Sequence, residues 1–194
     1  MAASPFDFSR AMQALCADIV RRLPEFHHVH MEQVAVTFAQ TRAGVPHGLQ
    51  AKLTPMRFAG GELVTSRSGR PWTVQRLFLG EREILYLLTF YLPRFLEHSF
   101  QEKRITVMHE LYHISPLFNG DIRRHEGRYH VHSHSQKAYD QQMAGLVADY
   151  MRAQPPPALY QFLEFDFRTL STSHGGVVGL RVPIPKLVPL SKSA

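Results

Sequence analysis

Apolar residues recur every four positions near the start of the chain, at Ala11, Leu15, Ile19 and Leu23, and Pro24 follows. That period lines them along one face of a helix. Ser4-Pro5-Phe6-Asp7 supplies a predicted start, with serine as cap, proline in the first turn and an early acid. The pattern then turns strand-like. VAVTFAQ (34–40) is β-branched and aromatic, and GLQAKLTPMRF (48–58) alternates in part and is predicted to pair with it across Gly44, Pro46 and Gly48. Glycines and small polar residues from 60 to 69 predict a loop, and Trp72 to Leu79 a third strand. ILYLLTFYL (84–92) reads as a buried strand ended by Pro93.

Helical patterning returns after position 98. Ser99-Phe100-Gln101-Glu102 is an S-x-x-E capping box, and the helix it opens is predicted to run to about Ile114, where Ser115-Pro116 stops it. Met143, Leu146, Val147 and Tyr150 step by three and four, so 136–153 is a second long amphipathic helix, broken by the prolines at 155–157. LEFDFRTL and VVGLRVPIP, on either side of Gly175-Gly176, predict extended segments. Prolines 183, 185 and 189 place that tail at a sheet edge or on the surface.

These elements give an α+β fold: a small, mostly antiparallel sheet packed on the 99–114 helix and further helices. A length of 194 residues fits one domain. Its parts are an N-terminal helix and sheet (1–98), a central helix, loop and helix (99–153) and an extended C-terminal segment (154–194). Hydrophobic residues at 44% and charged residues at 20% exclude a disordered tail, and one cysteine, Cys16, excludes an internal disulfide. The apolar run 84–92 is too short for a bilayer, which takes about 20 residues. A soluble cytoplasmic protein without membrane contact is the expectation. The formal charge of +6 comes from scattered basic residues with no run of five. It leaves weak nucleic-acid association open as a secondary property, resting on charge alone.

Candidate chemistry changes the picture most at HELYH, residues 109–113. On a helix, positions i and i+4 share a face, so His109 and His113 can hold one metal ion from the same side. Glu110 projects where it reaches a metal-bound water and serves as general base, with Zn2+ as the metal. With 12 histidines in the chain, a random sequence of this composition contains the pattern with probability about 4%. Apolar Met108 and Leu111 beside the motif argue that it faces inward, where unpartnered imidazoles would be costly.

A catalytic zinc takes a third protein ligand. Asp140 and Asp149 on the following helix are candidates, and so are His125, His130, His132 and His134 in the loop RRHEGRYHVHSHSQKAYD. Alternating His130, His132 and His134 share one side of a locally extended chain, and the spacing permits any of them. Tyr139 or a loop arginine is a candidate for stabilising the oxyanion, and Asp121 for accepting from a ligand imidazole.

The block HELYHISPLFNGDIRRHEGRYHVHSHSQKAYD resembles a family of uncharacterised metallopeptidases of phages and prokaryotes, itself similar to the SprT-like zincins. The matching elements are His109, Glu110, His113, Pro116, Gly120-Asp121, Arg123, His132-Ser133 and Tyr139-Asp140, and the tail HGGVVGLRVPIPKLV is also similar. The resemblance covers about the second half of the chain. It implies a zincin-like fold, zinc as cofactor, His132 as third ligand and a peptide or protein as substrate. The expected function is zinc-dependent peptide hydrolysis by a metal-activated water. The alternative is a non-catalytic metal-binding or nucleic-acid-associated module on the same scaffold.

Overall fold

The structure is a computed structural model that describes residues 4–41, 48–124 and 134–191, the side chains of 134–138 excepted. The apolar run predicted as a buried strand forms the centre. Strand β8 (Tyr86–Leu92) lies between β2 (Val34–Gln40), parallel to it, and β3 (Ala51–Pro55), antiparallel to it. The expected pairing of 34–40 with 48–58 does not form. β8 separates them because it is apolar on both faces and is the strand that can be covered on both.

The two faces of this sheet are buried differently. Val34, Val36, Leu53, Leu88 and Phe90 join the main core with helices α1 (Phe8–Arg22), α2 (Phe100–Tyr112), α3 (His134–Arg152) and α4 (Phe167–His174). Ala35 and Leu87 point the other way, into a smaller cluster with Met56 and Ile84. Val74, Leu77, Leu180 and Val182 cover that cluster. They come from β5 (Arg70–Val74), which pairs with β4 (Val64–Arg67), from β6 (Leu77–Leu79), which pairs with β7 (Arg82–Ile84), and from the C-terminal segment.

Four local expectations are corrected. Helix α1 is capped by Asp7, whose side chain accepts from the Arg10 N–H at 3.0 Å, and not by Ser4. The preceding residues are held extended because Phe6 and Asp7 form β1 (Phe6–Asp7), parallel to β9 (Val177–Val178). The 60–69 loop contains β4, and the strand predicted over 72–79 divides into β5 and β6. LEFDFRTL is not extended: Asp166 caps α4, accepting from the Thr169 N–H at 2.6 Å, and Gly175 closes that helix in the left-handed region at φ 67°. The proline-rich tail does lie at an edge, as β10 (Leu187–Pro189) on the outside of β5.

The capping box is present as predicted. Ser99 Oγ accepts from the Glu102 N–H at 3.2 Å, and the Glu102 carboxylate accepts from the Ser99 N–H at 2.9 Å. Further along α2, buried Lys103 donates to the carbonyls of Leu163 (3.0 Å) and Phe165 (2.9 Å), tying the C-terminal segment to the helix. Among the described residues no helix is long and apolar enough to cross a membrane. The architecture is α+β, of zincin-like type, with small and mostly antiparallel sheets around one mixed central sheet.

Candidate active site

HELYH lies at the end of α2, not in its middle: Tyr112 is the last helical residue and His113 is the C-cap. His113 is still in register with His109, its N–H donating to the His109 carbonyl at 3.2 Å. Their rings meet edge-on with centroids 4.5 Å apart, and the two Nε2 atoms are 2.8 Å apart. Two imidazole nitrogens on one tetrahedral metal lie about 3.3 Å apart, given metal–nitrogen bonds of about 2.0–2.1 Å. An opening of about half an ångström therefore brings this pair to ligand geometry. Burial holds the His109 imidazole below its ordinary pKa, with Asp140 opposing, so it is neutral and able to ligate.

The last turn of α2 is secured by the chain that follows it. Arg123 donates from its backbone N–H to the His113 carbonyl and from Nε to the Tyr112 carbonyl, both at 2.7 Å. Its guanidinium lies over the Tyr112 ring at 4.1 Å. Helix ends leave carbonyls unpaired, and here a cation beside the negative end of the helix dipole takes one of them. The NGD turn is anchored through Tyr86, which donates to the Asp121 carbonyl and accepts from the Gly120 N–H, each at 2.9 Å. Gly120 has φ 83°, and a side chain there would collide with Arg57.

Glu110 is turned towards β3. The Gln50 carbonyl accepts from Tyr91 and the Met56 N–H donates to Leu85, so even-numbered residues of this segment face β8. Ala51, Leu53 and Pro55 turn their backbone groups outward, towards α2. The Leu53 N–H is thereby free of the sheet and donates to Glu110 Oε2 at 2.6 Å. Burial pushes the Glu110 carboxyl up to about 7, against the Leu53 N–H and Lys52, which favour the charged form.

A shallow cavity of about 320 Å³ runs between the β3 edge and α2, lined by Gln50, Ala51, Thr106, His109, Glu110 and Asp140. Tyr139 of α3 stands edge-on to His109, with ring centroids 5.0 Å apart, and stacks at 6.4 Å on His113. Two candidate carboxylates, Asp149 as a ligand and Asp121 as the acceptor from a ligand imidazole, are placed elsewhere. Asp149 pairs with Arg152, and the Asp121 carboxylate is taken up by the N–H groups of Gly60 and Ile122 and by Arg124. Asp121 is therefore a turn residue and not a partner of an imidazole. Asp140 does lie beside His109.

The structure thus brings together His109, His113, Glu110, Tyr139 and Asp140. His132, expected as third ligand, lies outside the described residues, as do His125 and His130 and the side chain of His134. Among the described residues no cluster of three or more metal-binding side chains occurs. Sequence reasoning did not single out the Leu53 N–H or the Gln50–Thr106 wall. Leu53 is 57 positions from Glu110, and no local spacing signals that contact. Two converging imidazoles beside a buried carboxylate suit a divalent cation and its bound water. No curated protein and no solved structure matches the chain. The family described as "Putative phage metallopeptidase" matches residues 8–149, which span helices α1 and α2, the central sheet and most of α3, and the chain belongs to that family.

Proposed function

We propose that this protein is a zinc-dependent metallopeptidase in which His109, His113 and His132 hold the metal and Glu110 is the general base. The observation that carries the reading is the convergence of the two Nε2 atoms, 2.8 Å apart, with the buried Glu110 carboxylate next to them in sequence. A zinc ion there supplies Lewis acidity and brings the pKa of its bound water to about 7. Glu110 accepts the proton of that water and passes it to the departing amine. The Leu53 N–H holds Oε2, which sets the orientation of the carboxylate without occupying Oε1. A peptide strand adds to the outward backbone of β3 at Ala51 and at the Leu53 carbonyl, the Leu53 N–H being held by Glu110, which aligns its own carbonyl with the histidine pair. Tyr139, edge-on to His109, is the candidate donor to the oxyanion.

The test is metal analysis with a peptide-hydrolysis assay on wild type and Glu110→Gln. Stoichiometric zinc in both proteins, with hydrolysis in wild type alone, is the expected result. A wild type without stoichiometric metal defeats the reading. One that holds zinc and never hydrolyses peptides is the non-catalytic metal-binding module instead. His132→Ala separately tests the third ligand, and zinc retained at full affinity would remove His132 from the set.

A further inference from the structure

The hairpin formed by β4 and β5 carries two arginines where hairpin physics disfavours them. Its two-residue turn is Ser68-Gly69, both at positive φ (49° and 72°), as a type I′ turn requires. The flanking residues Arg67 and Arg70 are directly opposite in the strand register, and both are exposed. Like charges facing each other across a ladder destabilise it. Among the described residues neither guanidinium has a hydrogen bond or an ion pair. Glu83, the carboxylate of the neighbouring hairpin, is already taken by Arg57 at 2.5 Å and Arg76 at 2.7 Å. The tip therefore presents two adjacent positive charges that nothing in the described chain neutralises.

The same face continues into an aromatic residue. Side chains alternate along β5, so Trp72 lies on the Arg70 side, and the register sets Thr65 opposite it. Trp72 is half-buried, which leaves part of its indole accessible. Two planar guanidiniums, a hydroxyl and an indole on one face of this three-stranded sheet match phosphates and bases better than a carboxylate surface. Arginine forks grip phosphate bidentately, and bases stack on aromatic rings.

We propose that this hairpin face, with Arg67 and Arg70 at its tip and Trp72 behind them, binds the phosphate backbone of a nucleic acid. The proposal is independent of the peptidase reading.

The experiment titrates the full chain onto a labelled duplex of about 20 base pairs, and onto one of its single strands, between about 50 and 200 mM salt. Arg67→Ala/Arg70→Ala is compared with Arg10→Ala/Arg168→Ala, which removes two exposed arginines elsewhere and lowers the net charge equally. The hairpin variant is expected to raise Kd at 50 mM by about 10-fold or more and to flatten the duplex salt slope by about 1.8, the counterions two phosphate contacts release. The control variant is expected to stay within about twofold of wild type. Thermal unfolding of the hairpin variant should occur at or above the wild-type midpoint, because a repulsive pair is gone. Three results overturn the proposal: no binding by wild type, equal weakening by both variants, or the same hairpin dependence for polyglutamate or phosphatidylserine vesicles. The last would assign the face to a protein or a membrane.

Discussion

The two ends of α2 each bury a charged side chain, seven residues apart, and treat it in opposite ways. Lys103 is 2% exposed and Glu110 is 8% exposed. Two carbonyls satisfy the lysine, and it binds the C-terminal segment to the helix. Among the described residues a single backbone N–H reaches the carboxylate's Oε2, and burial leaves its pKa near neutrality. A buried charge anchored by two carbonyls is architecture. One that is partly satisfied, beside a cavity, retains the capacity to exchange a proton.

The sharpest break of this comparison is to neutralise each end in turn. Glu110→Gln should lower peptide turnover by about 10²–10⁴-fold, the usual contribution of a general base, while the unfolding midpoint does not fall. A Glu110→Gln protein that unfolds earlier than wild type would make the carboxylate structural as well. Lys103→Met should do the reverse. It strands the Leu163 and Phe165 carbonyls and should cost about 1–3 kcal/mol in denaturant unfolding, with zinc content unchanged. If turnover collapses while stability holds, the two ends are not separate in kind.

A smaller effect is expected at the start of the helix. Ser99→Ala removes the capping box and should cost about 1 kcal/mol, read from the same unfolding curves. A larger loss of turnover than of stability would show that the cap end also controls the reactive end. Smallest and most local is the contrast with Glu83, a carboxylate pushed in the opposite direction. The hydrogen bond from Arg76 lowers it most, burial opposes, and Arg57 adds, leaving it at about 2 against an ordinary 4.5. Because the folded-state value is depressed, its stabilisation is complete above pH 4.5 and is lost as the pH falls towards 2. The stability gap between wild type and Glu83→Gln should therefore narrow across that interval in stepped-pH unfolding. A gap that stays constant would show that the two arginines do not hold the charge.

Local features were legible in the chain. The capping box, the i, i+4 histidines and the 3.6-residue period of α3 act within one or two turns, so spacing alone reveals them. Other features misled because a distant segment overrode the local signal. Ser4-Pro5 has the chemistry of a helix start, yet Phe6 pairs with Val177 and the helix waits for Asp7. LEFDFRTL has the apolar alternation of a strand, and Asp166 caps a helix within it. Asp121 looked like support for a ligand and instead closes a turn against Gly60 and Arg124.

By itself the sequence marked the candidate residues, His109 and His113 on one face with Glu110 between them, and it carries the family signature over residues 8–149. Those are relations between neighbours, set by helix geometry. Only the tertiary structure decided that β8 lies between β2 and β3, that β3 turns its backbone towards α2, and that the Leu53 N–H orients Glu110. These depend on which apolar surfaces cover one another across 50 or more residues, and no short-range period encodes that choice.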